Sequence, residues 1–502
     1  DRIKKLEEQL NFVLNSKIEI LIYNDITDLS QTNIGISEQI YNVGGTNFTD
    51  GAKLFLYYDG NHDHMLHFLE KELAKIYLNN MMSGKNFAEV IQNAVFLNLP
   101  NWFISGLAAY IGEDWNVEKD DQLRKFWNES SKPSFAKLAQ TNPEFAGQAL
   151  WYFIFEKYGN SSLKNILYLT RINRSVNKGF VFSLGKSSDD IIQEWEEYFK
   201  FHSKADLINR EIAKKEDLVK AKIRKNQSVS QVKISPDGKN LAYALHKKGS
   251  YKVFSQNLET KKRKKIFKGG FNSDNFPYDL SYPLLSWNPS STKLIGIHEK
   301  KDQIKMVDYD LIDKKKKKDD VRGFQRIYQV NFTSDGKSLI FSAQNRGQTD
   351  IYTFQLSTTR PTQLTNDIFD DSYPTMIKLS GANGILFSSN RPDANTIAAS
   401  YDSILPVGKL NLYFLNLDNP SIGLVKIASD KVENQSQSAQ LNDQYFSFLS
   451  DENGIINLYH GQLDSSLLRI DTVQEENTIR LDTIYSFTST IEPLTDMSAN
   501  IL

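Results

Sequence analysis

The sequence predicts a chain of two domains, an α+β unit followed by an all-β propeller, and three observations carry that expectation. Its 502 residues exceed what one ordinary core accommodates. From about 62 to 200 apolar residues recur at three-to-four spacing, while beyond 227 the chain turns to short β-rich runs broken by Asn, Asp, Gly, Ser and Pro. Within that second part the anchors Leu241, Leu294, Leu339 and Ile385 lie 53, 45 and 46 residues apart, the period of a propeller blade.

Taken in order, the first domain (1–205) opens with 3-IKKLEEQLNFVL-14, whose Ile3, Leu6, Leu10 and Val13 mark one helix face. Strands follow at 18-IEILIYN-24 and 53-KLFLYYD-59, with 43-VGGTNFTDG-51 read as a turn between strands and not as a phosphate-binding loop. Helices are expected over 64–82, 86–96, 102–112, 145–158, 161–171 and 187–201, so that a small sheet packs against a helical body. The charged stretch 206–226 reads as a linking helix.

The propeller spans 227–502 in this reading. Four segments align almost without gaps, 231-QVKISPDGKNLAYALHK, 284-LLSWNPSSTKLIGIHEK, 329-QVNFTSDGKSLIFSAQN and 374-PTMIKLSGANGILFSSN, with a weaker fifth at 438. In each, a strand enters and a turn such as Ser-Pro-Asp-Gly-Lys reverses it, because Pro fixes φ and Gly accepts φ > 0. A strand returns, and another follows: 251-YKVFSQNL, 304-IKMVDYDL, 350-DIYTFQL, 411-NLYFLNL and 457-NLYHGQL. Five blades are expected. The tail from 480 reads as the opening of a further, unfinished blade, which leaves the propeller incomplete and the chain a fragment of a longer protein. The recurring Tyr243, Trp287, Phe341 and Phe387, and Trp102, Phe103 and Tyr110 in the first domain, are expected in the cores.

Composition narrows the function. The 60 basic and 61 acidic side chains nearly cancel, so no overall field draws the chain to nucleic acid, and no nucleic-acid partner is expected. Cysteine is absent, which removes disulfides and thiolate chemistry. The chain opens at Asp1 with no apolar leader, so no address is read from a targeting segment. The most apolar window, 94–112, is interrupted by Asn98, Pro100 and Asn101, and no transmembrane segment is expected.

Residues 231–463 resemble the TolB-type β-propeller, which carries the Ser-Pro-Asp-Gly-Lys turn followed by a Tyr-rich strand; 350-DIYTFQLSTTRPTQLTNDIFDDSYP-374 is the nearest stretch. Residues 1–200 resemble the M-A-like gluzincin peptidase domain of bacterial envelope proteins, through 18-IEILIYN, 64-HMLHFLEKELAKIYLNNMMSG, 98-NLPNWFISGLAAYIGEDW and 190-DIIQEWEEYF. In the active form of that family, one helix carries His-Glu-x-x-His and a later one Trp-Phe-x-Glu-Gly-Leu-Ala-x-Tyr. The two His and the later Glu hold Zn²⁺, and the first Glu is the general base.

Placed on that pattern, Lys71 takes the first His, Glu72 the catalytic Glu, Lys75 the second His and Ser105 the third ligand. A protonated Lys offers donors and no lone pair, so the resemblance implies a pseudo-metallopeptidase with no catalytic residue, metal or cofactor. Two states of the lysines are open: an ion pair that keeps Glu72 satisfied in place of the metal charge, or solvated charges in an opened cleft. His62, His64 and His67, with Glu70, are the remaining ligand-type cluster, and they sustain the alternative of a metal-dependent peptidase. A second alternative is a peptide- or glycan-binding module using the old groove. The run 313-DKKKKKDD-320 is expected at a solvated loop tip, and Ser105-Gly106 lacks the Gly-x-Ser-x-Gly frame of a nucleophile elbow. The resemblances together imply a non-catalytic scaffold in the periplasm or at the outer membrane. Its partners would be proteins of a transport, secretion or assembly complex.

Overall fold

The computed structural model describes residues 2–14, 17–23, 46–48, 52–83, 99–130, 132–206, 223–224, 227–270, 280–301, 303–379, 381–393, 406–420, 423–427, 434–442, 445–452, 454–475 and 478–493. The chain divides into two compact units, and the short segment Tyr58–Asp63 belongs with the second.

In the first unit α1 (Arg2–Leu10) buries Leu6 and Leu10, one turn apart. The sheet has the order β1 (Ile18–Tyr23), β3 (Ala52–Tyr57), β2 (Thr46–Phe48), with β1 parallel and β2 antiparallel to β3. The central β3 buries Leu54, Phe55 and Leu56 in succession, as a strand covered on both faces must. The residues expected to form only a turn thus include a strand, β2, because Thr46–Phe48 finds the free edge of β3.

The helical body consists of α2 (His62–Ser83), α3 (Asn101–Gly112), α4 (Val117–Glu129), α5 (Phe135–Thr141), α6 (Pro143–Tyr158), α7 (Ser162–Asn173), α8 (Val176–Leu184) and α9 (Ser188–Ala205). The helices expected over 86–96 and most of 206–226 lie outside the described residues. The α6 helix is apolar nearly all round, and Phe145, Leu150, Trp151, Phe153, Ile154 and Phe155 are all buried, so it runs through the core. Trp102 and Phe103 are buried as expected, with Tyr110 packed partly buried beside them.

Glycines let α3 and α6 touch backbone to backbone. A Cβ on Gly147 would stand 1.9 Å from the Trp102 carbonyl oxygen, and one on Gly106 would stand 2.3 Å from Gly147. Trp151 Nε1 then donates to the Phe103 carbonyl at 3.0 Å. Gly147→Ala is expected to lower stability by about 1–3 kcal/mol, as overpacking does. An unshifted urea midpoint would show that the helices are not held at backbone contact.

The second unit is a five-bladed β-propeller, each blade a four-stranded antiparallel meander. Blade one is β4 (Ser228–Ile234), β5 (Asn240–Lys247), β6 (Ser250–Asn257) and β7 (Arg263–Gly269). Blade two is β8 (Leu284–Trp287), β9 (Lys293–Glu299), β10 (Ile304–Asp310) and β11 (Lys316–Asp320). Blade three is β12 (Arg326–Phe332), β13 (Ser338–Asn345), β14 (Gln348–Gln355) and β15 (Arg360–Gln363). Blade four is β16 (Asp371–Leu379), β17 (Ala382–Ser389), β18 (Asn411–Asn416) and β19 (Leu424–Lys426). Blade five is β20 (Ser436–Gln440), β21 (Tyr445–Ser450), β22 (Asn457–Glu475) and β23 (Thr478–Pro493). First strands of consecutive blades meet, β4 on β8, β8 on β12, β12 on β16 and β16 on β20.

The repeated turn works as its residues dictate. Asp237 Oδ1 accepts from Ser235 Oγ at 2.6 Å and from the Lys239 amide at 3.1 Å, while Gly238 takes φ +70°. Thr333, Asp335, Gly336 and Lys337 repeat this in blade three, with 2.6 and 3.0 Å for the same two bonds. Tyr243, Trp287, Phe341 and Phe387 are buried, as are Leu241, Leu294, Leu339 and Ile385.

Two expectations are corrected. Residues 480–493 do not open a further blade: they lie within β23, which pairs along β22 from Glu475↔Thr478 to Tyr459↔Pro493 and is the fourth strand of blade five. The lysine run is not confined to a loop tip. Lys316–Lys318 lie in β11 opposite Tyr309, Asp308 and Val307, because opposite charges across the pair at Asp308↔Lys317 favour that register.

Candidate functional site

The middle of α2 is buried on almost every side, with Leu73, Ala74, Ile76, Tyr77 and Leu78 all inside, so Glu72 and Lys75 are carried into the core with them. Glu72 is 0% exposed and Lys75 8%. The α3 helix closes on this point, for a Cβ on Gly112 would lie 2.4 Å from the Lys71 amide nitrogen. The third element is the start of α6, where the Asn142 side chain accepts from the Phe145 amide, Pro143 occupies the first turn, and Glu144 follows.

These elements assemble two lysines and two glutamates. Lys75 Nζ donates to Glu72 Oε1 at 2.8 Å and stands 3.2 Å from Glu144 Oε2, while Lys71 Nζ donates to Glu144 Oε1 at 3.0 Å. Of the two states left open by the sequence, the structure contains the buried ion pair. Glu72 Oε2 is buried with no hydrogen-bond partner. Burial raises the Glu72 pKa against the pull of Lys75. Burial alone would lower that of Lys75, but Glu72 and Glu144 outweigh it and the amine is held above its ordinary value. Glu144 goes the other way: desolvation is overcome by Lys71 and Lys75, and the first turn of α6 favours its negative charge. An amine with a raised pKa holds its proton near neutrality, so Lys75 presents a cation to both carboxylates.

Ser105 does not join this cluster through its hydroxyl, which bonds to the Asn101 carbonyl of its own helix. His62, grouped with the propeller unit, places Nδ1 2.6 Å from Asp370 Oδ1, and its amide donates to Asp370 Oδ2 at 2.6 Å. His64 is exposed, and His67 is half-buried with Glu70 and Glu113 in its electrostatic neighbourhood. Glu144 escaped the sequence reading, although Asn142-Pro143 announces the helix start that presents it.

The propeller holds a second cluster that the sequence reading missed. Among the described residues, ligand-type side chains converge at Asp350, Asp367 and Asp371, within 4.8 Å of one another. Arg391 already neutralises them: its Nη2 donates to both Asp371 oxygens at 2.8 Å, and Nη1 stands 3.1 Å from Asp367. Phe369, Phe387 and Tyr413 ring the guanidinium at 5.4, 5.8 and 5.5 Å. Burial, with the charge of Asp371, pushes Asp350 up to about 7, and burial pushes Asp371 up to about 6 against Arg391.

A carboxyl with a raised folded pKa keeps a proton that the unfolded chain gives up, so its contribution falls as pH rises from about 4 to 7. Asp350→Asn, which keeps a neutral group there, is expected to leave stability near pH 4 unchanged and raise it at pH 8 by about 1–3 kcal/mol. Parallel slopes of stability against pH for parent and variant would refute this.

No protein-family model matches the chain, and no curated protein sequence does. Among solved structures it is similar to TolB from Acinetobacter baumannii, with 16% identity and a TM-score of 0.35 over 47% of this chain and 52% of that one. The β-propeller domain of the Trilobed protease from Pyrococcus furiosus gives 12% identity and a TM-score of 0.31 over 47% and 82% of the two chains. A puromycin-hydrolyzing peptidase from Mycobacterium tuberculosis gives 12% and 0.34 over 47% and 36%. The alignments thus span about half of this chain and about half of the Acinetobacter protein.

Proposed function

We propose that the chain is a non-catalytic interaction scaffold of the bacterial cell envelope, a pseudo-metallopeptidase unit joined to a propeller platform and serving an outer-membrane transport, secretion or assembly complex. The observation that carries the non-catalytic part is Lys75: its Nζ lies between Glu72 and Glu144, so the carboxylate at the general-base position is already engaged by a cation of the chain itself. An amine held protonated there supplies the charge balance that a metal would otherwise supply, and performs no hydrolysis. The envelope location and the class of partner rest on the resemblance of the two halves to gluzincin-like and TolB-type domains. None of the helices among the described residues is long and apolar enough to cross a membrane.

The test is a native pull-down from gently solubilised envelope, with zinc content and peptidase activity measured on the same preparation. Recovery of a stoichiometric outer-membrane complex, without zinc or product, is the expected result. Stoichiometric zinc with cleavage of a peptide substrate would overturn the reading.

A further inference from the structure

The near balance of charge in the whole chain hides a strong local excess. Residues 228–321, the first two blades, carry 20 Lys and Arg against 11 Asp and Glu, leaving 40 against 50 elsewhere. The excess is concentrated in two runs, 261-KKRKKIFK-268 and 314-KKKKK-318, which form the outer strands β7 and β11 and the turns leading into them. Every basic residue of both runs is exposed.

Both runs start at one rim and continue along the outer strands. The turn before β7 is tied to the turn after β4 by the Leu258 amide donating to the Lys239 carbonyl at 2.8 Å, and in blade two Leu311 donates to Thr292 at 2.9 Å. The Asp237 amide donates to Ser291 Oγ at 3.0 Å and joins the two blades at this level. Lys264 Nζ sits 5.2 Å over the Tyr309 ring of β10, which brings β7 beside blade two. Lys317 pairs with Asp319, but Lys261, Lys262, Lys265, Lys314, Lys315 and Lys316 have no ion-pair partner among the described residues.

Charges on an outer strand ordinarily discourage edge-to-edge pairing. One is enough for that in blades three and four, where β15 carries only Arg360 and β19 only Lys426. The turn into β11 also holds Ile312 at 72% exposure, two residues before the lysines. A projecting aliphatic side chain beside a polybasic run is the composition of an interfacial membrane contact. Single-stranded nucleic acid would instead call for exposed aromatics to stack on, and among the described residues of the propeller the exposed large apolar ones, Val232, Ile234, Leu280, Ile312 and Leu441, are all aliphatic.

We propose that the rim of the first two blades docks on an anionic lipid bilayer, with the lysines of β7 and β11 against phosphate headgroups and Ile312 at the acyl boundary. The test is co-sedimentation of the full chain with vesicles of phosphatidylcholine alone or mixed with phosphatidylglycerol. Binding is expected only to the mixed vesicles and falls as salt screens the charges. The triple variant K314Q/K315Q/K316Q is expected to lose binding by on the order of a hundredfold. Ile312→Ser weakens it further, by a factor that salt does not change.

The control K164Q/K178Q/K200Q makes the same change of net charge on exposed lysines of the first unit and should bind like the parent. Thermal melts establish that each variant is folded. Equal binding to neutral vesicles, or a β11 variant that binds like the parent, overturns the proposal. So does displacement by inorganic phosphate at matched ionic strength, which would mean a site for the free ion. Retention on duplex DNA without retention on vesicles would mean a nucleic-acid surface instead.

Discussion

Lys75→Met is expected to destabilise the protein by about 3–5 kcal/mol near pH 8, the cost of leaving a buried charge without its partner. Methionine keeps the unbranched stem and much of its packing, so the loss reports the ammonium and not a cavity. Without it the Glu72 carboxylate, 0% exposed and with Oε2 already unpartnered, loses its bond at 2.8 Å. The carboxyl can escape by taking a proton, and burial already raises its pKa. In the variant that pKa rises further, so stability is gained as pH falls and the deficit shrinks toward pH 5. The double variant Lys75→Met with Glu72→Gln removes the stranded charge as well and is expected to recover most of the loss. Urea denaturation of the four proteins of this cycle decides the matter. A single-variant loss below about 1 kcal/mol would put the pair among solvent-screened ones and remove the argument that the amine takes over a metal's charge.

The same cluster marks how far the sequence reaches. Lys71, Glu72 and Lys75 are placed by their spacing on one helix, and their burial follows from the apolar residues that surround them on α2. Glu144 is 69 residues further along the chain than Lys75, and only the tertiary placement of the start of α6 near the middle of α2 brings the two together. No local pattern encodes that placement. The helices α4, α5 and α8 were not expected because they are short or charged, yet each begins at a residue that caps it: Asn116, Ser134 and Ser175 accept from Lys119, Lys137 and Lys178 amides. Capping residues were the readable signal there, and periodicity was the poor one.

In the propeller the balance is different, because the repeat supplies its own template. The turn chemistry of Ser235 to Lys239 recurs at Thr333 to Lys337, so strand pairing and blade count follow from the alignment. The alignment fails at the edges. It took residues after 480 for a first strand, when an outer strand returning along β22 satisfies the same alternation. It was silent on Arg391, whose partners Asp367 and Asp371 precede it by 24 and 20 residues across a strand pair.

That arginine carries the largest effect expected in the second unit. Arg391 is 4% exposed, and its guanidinium serves Asp371, Asp367 and, through Nε, Ser389 Oγ at 2.9 Å. Arg391→Leu keeps an apolar stem among Phe369, Phe387 and Tyr413 but leaves three carboxylates within 4.8 Å of one another and no cation between them. At pH 8 the expected loss is about 3–5 kcal/mol. Like charges at that distance cannot all ionise, so the variant takes up protons at a higher pH than the parent. In the parent, burial already pushes Asp350 and Asp371 up to about 7 and 6. Each raised carboxyl adds stability as pH falls toward its unfolded value near 4, so the variant should regain most of its loss by pH 5. A deficit that is the same at pH 5 and pH 8 would mean that Arg391 acts through packing against the three rings, with its charge irrelevant to the fold.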